Sequence, residues 1–166
     1  MAFLITDERI GSQPIANTST TQNHPVGTVV RATDPTYGEG EFVYLIGVES
    51  TIVGSIVSYE DGDTLVGQTA LATTAVDSGE PLAVAMSANL AGSYGWYQIS
   101  GVAVLGKANS LSMAPSLDFA VASGLVIAAT TTNRVRGANT AITGSASALV
   151  ITIPCLINRP SGPGVG

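Results

Sequence analysis

Short apolar runs separated by turn residues predict β-strands along most of the chain. The clearest run is GWYQISGVAVL at residues 95–105. Successive side chains of a strand point to opposite faces, so Trp96 and Gln98 would share one face and Tyr97 and Ile99 the other. This run is therefore predicted to be a strand anchored by aromatic residues, with a bulge at the glycine that follows Ser100.

The remaining strands are predicted from β-branched and aromatic enrichment and from alternation. They are residues 27–31, 41–46, 51–59, 64–71, 82–87, 118–132 and 148–153. Residues 82–87 also fit a helix, but their alternation and the preceding proline favour a strand. Two hairpins are predicted, one turning at the Asp-Gly pair within residues 60–63 and one at Ser123-Gly124. Gly54 and Gly67 interrupt strands, which indicates bulges or the close approach of another backbone.

Many short strands without an amphipathic helix predict an all-β fold, a single compact β-barrel or β-sandwich domain. Three parts are predicted: an extended N-terminal arm at 1–26, a β-rich body at 27–158 and a flexible C-terminal tail at 159–166. The arm is polar and aperiodic, so it is either disordered or ordered against a neighbour. The tail is so rich in Pro and Gly that a helix or a central strand is not expected there.

Charged residues are scarce and mostly acidic, which changes the expected partners. They make up 11% of the chain, with a net charge of −6 and a mean hydropathy of +0.37. A free monomer usually carries about 25% charged residues, so an assembly of subunits is indicated. Nonspecific nucleic-acid binding needs clusters of Lys and Arg, and no such binding is predicted. No secretory signal and no membrane-spanning run is predicted.

Catalytic chemistry has few candidate residues in this sequence. His24, the only histidine, lies in the predicted arm, and Cys155, the only cysteine, lies between apolar neighbours. No nucleophile motif, phosphate-binding loop or zinc motif occurs, so we expect no enzyme, no cofactor and no metal. Two acidic groups suggest weaker alternatives. The turn at 60–63 could bind Ca²⁺, although solvated acids are the simpler interpretation, and the pair Glu39 and Glu41 could belong to a glycosidase.

Apolar and aromatic residues of the arm and of the 94–97 run are the candidates for an interface between subunits. The aromatic residues fit core anchoring, an intersubunit contact or ligand stacking. The candidates are Phe3, Ile5, Ile10, Ile15, His24, Tyr94, Trp96 and Tyr97.

Two stretches carry a resemblance to a known family. They are GTVVRATDPTYGEGEFVYLIG at 27–47 and AVAMSANLAGSYGWYQISGVAVLGK at 83–107, with the distinctive pattern YGWYQISG. Both resemble segments of capsid decoration (cement) proteins of tailed bacteriophages. The resemblance implies a non-enzymatic virion protein, made in the host cytoplasm, that forms a homotrimer on the outer capsid surface. Arms would bind the major capsid protein and stabilise its lattice.

Another function remains open at this stage. The chain could be a head-fibre base or a host-surface-binding β module of the virion, with a receptor site near Tyr37, Tyr44 or Trp96.

Overall fold

The chain folds into β-structure throughout the part that can be described. A computed structural model describes residues 4–5, 13–59, 69–72, 79–108, 111–112, 114, 116, 118–130, 132–141 and 152–162. These residues contain no helix, and hence none that is long and apolar enough to cross a membrane. The strands are β1 Leu4–Ile5, β2 Thr18–Ser19, β3 Val29–Asp34, β4 Gly38–Ile46, β5 Ile56–Tyr59, β6 Thr69–Leu71, β7 Leu82–Ala85, β8 Tyr94–Gly106, β9 Phe119–Ala122, β10 Leu125–Ala128, β11 Arg136–Thr140 and β12 Thr152–Ser161. The predicted all-β fold is confirmed.

Strand β8 organises the sheet because it is long enough to pair with four other strands. It has 13 residues. One of its edges pairs with β4, and the other pairs successively with β2, β7 and β12, all antiparallel. The run at 95–105 predicted this strand, and β8 extends it by one residue at each end. The preference for a strand over a helix at 82–87 is confirmed by β7.

The main sheet follows the order β1-β3-β4-β8-β7-β5-β6, with β2, β11 and β12 attached through β8 and β12. In the described residues this is an open path, and no pairing between its end strands closes it into a barrel. Strands β9 and β10 form a separate hairpin. Its turn residues Ser123 and Gly124 have φ of 48° and 76°, as a two-residue type I′ turn requires, so the second predicted hairpin is confirmed.

Among the described residues, the core consists of three clusters of buried side chains. Two of them lie on opposite faces of the β4–β8 pair, one around Tyr44 and Trp96 and the other around Leu45 and Tyr97. Strand β4 is therefore covered on both faces. The third cluster fills the space between the β9–β10 hairpin and the strands β5, β7, β8 and β12.

The first predicted hairpin has the expected partners but a different start. Strands β5 and β6 pair antiparallel, whereas the connection between them, with Gly67 and the acidic turn, lies outside the described residues. Residues 51–55 form turns, so the strand begins at Ile56 and not at Thr51. Gly54 explains the difference. Its φ is +85°, and a Cβ atom there would lie 2.9 Å from the Val104 carbonyl oxygen. Close approach of another backbone, one of the two predicted roles of this glycine, is confirmed.

A bulge in β8 lies at Ile99, two residues before the glycine at which the sequence predicts it. The β4–β8 register shifts between Glu41 and Phe42, which pair with Ser100 and Gln98. Gly101, which follows Ser100, has φ +99°, and a Cβ atom there would lie 2.4 Å from the Glu39 carbonyl oxygen. The two strands can approach this closely because residue 101 has no side chain.

The C-terminal strand contradicts two sequence-based boundaries. We expected the last strand to end before Pro154 and the tail from residue 159 to contain no central strand, yet β12 runs from Thr152 to Ser161. Pro154 fits because its carbonyl accepts from Ala141 N, just beyond the end of β11, and in an antiparallel strand the ring nitrogen of the same residue faces that side. No hydrogen bond to β8 is lost. At the other end, β12 itself bulges: residues 158–160 lie opposite Gly137 alone, and Arg159 adopts φ 45° there.

Candidate functional site

Residues 13–26, half of the predicted arm, lie against the aromatic face of the β4–β8 pair in the same chain. Trp96 Nε1 donates to the Gln13 carbonyl oxygen at 3.1 Å. The Ile15 side chain is 2% exposed within the cluster around Trp96. Strand β2 adds backbone pairing to Tyr94 and Gly95. This order differs from the disorder, or the ordering against a neighbour, that the sequence suggested.

The Gln13 carboxamide holds this segment together. Its Nε2 donates to the Asn17 carbonyl at 2.8 Å, and its Oε1 accepts from Asn23 Nδ2 at 2.8 Å and from the Tyr44 hydroxyl at 3.2 Å. The Tyr44 oxygen in turn accepts from the Asn23 backbone N–H at 3.3 Å. We call Gln13, Asn23, Tyr44 and Trp96 the N-terminal clamp, because their hydrogen bonds join the segment to β4 and β8.

His24 completes the clamp by packing against two of its rings. The centroid of the His24 ring lies 5.1 Å from the centroid of the Tyr44 ring, which it meets edge-on, and 5.3 Å from that of the Trp96 ring. His24 Nε2 is buried and has no hydrogen-bond partner among the described residues. Tyr94 stacks on Tyr44 with a centroid distance of 6.0 Å. The aromatic rings therefore contact one another and the chain's own N-terminal segment.

Burial sets the acid–base properties of the two core tyrosines. Desolvation raises the pKa of Tyr44, partly offset by the hydrogen bond from Asn23. On the opposite face of the sheet, desolvation raises the pKa of Tyr97, partly offset by hydrogen bonds with Thr69 and Asn89. The Asn89 carboxamide lies 2.9 Å from the Tyr97 hydroxyl. Both tyrosines are therefore neutral structural groups at physiological pH.

Four of the predicted interface residues meet at the clamp, namely Ile15, His24, Tyr94 and Trp96. Tyr97 lies in the cluster on the other face of β8. Trp96 and Tyr97 have no exposed surface, so neither can contact a partner directly in this conformation. Of the three roles that the sequence left open for these rings, both fill the first, core anchoring. The backbone of Ile5 pairs with Ala32 in the same chain. Phe3 and Ile10 lie outside the described residues.

Sequence reasoning missed Gln13 and Asn23 as members of the clamp. Polar residues in an aperiodic segment give no signal of which side chain turns inward. It also missed the exposed apolar side chains Ile52, Val53 and Leu156, which are 55%, 52% and 51% exposed. The run at 51–59 suggested a strand, and β-periodicity alone does not show which face meets solvent.

The other chemical candidates stand apart from the clamp. Glu41 contacts Arg31 at 3.4 Å and Arg159 at 2.9 Å, so it is the acidic partner of two arginines. Burial raises the pKa of Cys155 to about 12, which keeps it a neutral thiol. The acidic turn at 60–63 lies outside the described residues, and within those residues no three His, Cys, Asp or Glu side chains are placed to hold a metal ion.

Comparison with known proteins gives no match to a protein-family model, to a curated protein or to a solved structure.

Proposed function

We propose that this chain is a capsid decoration protein of a tailed bacteriophage, which binds the major capsid protein from outside and stabilises its lattice as a homotrimer. The observation that carries the proposal is the position of the two stretches with the family resemblance. They contribute β3, β4, β7 and β8, which lie side by side in the order β3-β4-β8-β7. The resemblance thus falls on one contiguous block at the centre of the sheet.

The distribution of charge supports an outward-facing location. The chain has net charge −6, and residues 34–80 contain most of its acidic residues. Packaged DNA repels such a surface, whereas a shell protein that faces solvent tolerates it. Residues 13–26 extend over the body and lead back to the first residues of the chain, which we propose contact the shell.

The receptor-binding alternative has less support from the described residues. A sugar or receptor platform requires accessible aromatic faces, but Tyr44 and Trp96 are fully buried. Of the three aromatic residues that suggested such a site, Tyr37 alone lines an open groove, together with Pro35 and Val53. A single partly buried ring is a poor platform for a saccharide, so the decoration role is favoured.

Co-sedimentation tests the proposal. Purified protein is mixed with expanded, empty phage heads that lack it, and the bound fraction is measured over a range of concentrations. We expect saturable binding and a higher temperature of head disruption in a subsequent heat challenge. Heads incubated with bovine serum albumin serve as the control for nonspecific effects. Absence of saturable binding, or binding without a change in disruption temperature, would refute the stabilising role.

A further inference from the structure

A short loop presents two apolar side chains to solvent on a rigid backbone. Residues 48–55 form two turns, in which Thr51 Oγ1 donates to the Val48 carbonyl at 2.7 Å and Ile52 N–H donates to Ser55 Oγ at 3.1 Å. Gly54 fixes the loop to the sheet, because its N–H donates to Ala85 and its carbonyl accepts from Gly106, both at 2.9 Å.

These bonds leave the apolar residues of the loop outside the core. Ile52 and Val53 are 55% and 52% exposed, and Glu49 beside them is also exposed. We call residues 48–55 the apolar loop. A fixed turn cannot fold these side chains inward without breaking its hydrogen bonds, so the loop is preorganised for contact with another surface.

A groove on the outer face of the sheet has the complementary character. Its volume is about 520 Å³, and it is lined by Leu156, which is half exposed, with Arg134, Arg136, Asn139 and Asn158 around it. Arg134 pairs with Asp118 at 2.9 Å. We call this the Leu156 groove. Two arginines and one aspartate at its rim make it basic within a chain of net charge −6.

The apolar loop and the groove lie at two ends of one stretch of β12, residues 152–156. Val53 lines a second groove together with Val104 and Thr152, at the start of β12. Leu156 lies four residues further along β12, about 13 Å away at 3.3 Å per residue. Pro154 and Val104 pair between these ends and are only partly buried. The loop is too far from the groove to fill it within one chain.

We infer that the apolar loop of one copy of this chain seats in the Leu156 groove of a second copy. Ile52 and Val53 would cover Leu156, and Glu49 would face Arg134 and Arg136. This inference names the surface for the self-association in the proposed function and rests on it for the trimer. Loop and groove are different patches, so such a contact closes into a ring when the rotation allows it.

The experiment measures the mass of the full-length chain by sedimentation equilibrium over a range of concentrations. We expect the wild type to self-associate and Ile52→Asp or Leu156→Asp to raise the dissociation constant at least about 30-fold, because a carboxylate would enter an apolar contact. The matched control is Leu90→Asp. Leu90 is 55% exposed, equal to Ile52, but lies outside both patches, so its substitution is expected to leave association unchanged.

A charge reversal tests the pairing of the two patches. Glu49→Arg and Arg136→Glu are each expected to weaken association about tenfold, and an equimolar mixture of the two variants is expected to form mixed assemblies more tightly than either alone. Circular dichroism melting curves confirm that each variant is folded. A monomeric wild type, equal effects of Leu90→Asp and Ile52→Asp, or no recovery in the mixture would each overturn the inference.

The same data separate this inference from the proposed function. A trimer that depends on both patches supports both. A dimer that depends on them supports the contact but overturns the trimer, and failure to bind phage heads in the co-sedimentation assay overturns the decoration role alone.

Discussion

Trp96 acts as a core residue and as the anchor of the N-terminal segment. Its ring is fully buried among other aromatic rings, and its Nε1 donates to a backbone carbonyl 83 positions away in the sequence. A buried carbonyl that loses its donor costs more than the bond itself contributes. At this position the indole is therefore required for its hydrogen bond as well as for its volume.

Trp96→Phe removes that donor and part of the ring. We expect the free energy of unfolding to fall by about 2–4 kcal/mol, from an unpaired Gln13 carbonyl and a partly empty site. Urea unfolding followed by circular dichroism measures it. Tyr94→Phe, a change in the same cluster at a half-buried ring, is the control and is expected to cost less than about 1 kcal/mol. Equal losses for the two variants would contradict the role of the hydrogen bond.

Two glycines with positive φ allow the cost of steric crowding by a Cβ atom to be measured apart from the cost of backbone strain. Gly92, at φ +74°, has open space where a Cβ atom would lie, whereas Gly101, at φ +99°, has the Glu39 carbonyl 2.4 Å from that position. Gly92→Ala should cost about 1–2 kcal/mol from strain alone. Gly101→Ala should cost at least about 2 kcal/mol more, because β4 and β8 must separate. Thermal unfolding of both variants would show it, and similar melting temperatures would mean that the bulge relaxes easily.

Buried thiol and phenol groups predict loss of stability at alkaline pH. The pKa of Cys155 is raised from 9.0 to about 12 by burial, and those of Tyr44 and Tyr97 are raised from 10.0. The folded chain holds these protons more tightly than the unfolded chain. The contribution of the neutral groups to the free energy of unfolding is therefore complete below about pH 9 and declines above it. Each such group lowers the free energy of unfolding by about 1.4 kcal/mol per pH unit within its window.

Cys155→Ala tests how much the thiol contributes to this loss of stability at alkaline pH. Between pH 9 and 12 the free energy of unfolding should fall less steeply with pH in the variant, because about one proton fewer is released on unfolding. This difference in slope is expected even if the variant is less stable at pH 7. Denaturant titrations at several pH values measure the slope. An unchanged slope would show that the thiol does not take part.

At the scale of elements, β8 was predictable and the ends of β12 were not. Alternating large apolar residues and the glycine at 101 are local signals, and they predicted β8 and its bulge closely. The position of Pro154 in a strand depends on β11 having already ended beside it, which is a tertiary fact. Likewise, the pairing of Arg136 with Ser161 carries β12 into a stretch whose proline and glycine content predicted a flexible tail.

Lys107 organises the segment that follows β8. It is the only lysine of the chain and is 2% exposed, and its Nζ donates to the carbonyls of Ala108, at 3.1 Å, and Leu111. Lys107→Met keeps the apolar stem but removes the ammonium donor from both carbonyls, of which the Ala108 carbonyl keeps the Leu111 N–H as a donor at 3.1 Å. We expect faster amide hydrogen exchange at residues 108, 111 and 112 and little change in strands β4 and β8. Uniform acceleration across the chain would indicate global destabilisation and would contradict a local role.

At the scale of the whole molecule, the fold class and the central strands could be predicted, and the clamp could not. Strand periodicity reflects backbone geometry, which each stretch of sequence carries by itself. The clamp depends on which polar side chain, Gln13 or a neighbour, meets Trp96 after the chain has folded. The scarcity of charged residues predicted an assembly, but only the placement of Ile52 and Leu156 suggests where copies would meet.

The clamp draws its residues in the predicted arm from 13–26 and not from 1–12, so two truncations can distinguish the roles of these two parts. Removal of residues 1–26 uncovers Trp96, so we expect a red shift of its fluorescence and a lower melting temperature. Removal of residues 1–12 leaves Gln13 and Ile15 in place, so the emission maximum should stay within about 2 nm of wild type while binding to phage heads is lost. Full head binding by the shorter truncation would exclude residues 1–12 as the shell contact.

The shared edge of β8 has a mechanical consequence. Strands β2 and β12 lie on the same edge of β8, and both run antiparallel to it. Interstrand hydrogen bonds are perpendicular to the strands, so tension applied along β2 or β12 loads them together, in shear, and not one after another. A pull applied at β2 or at β12 would therefore reach β8 directly. This geometry resists extension along β8, a property that the proposed decoration role would use.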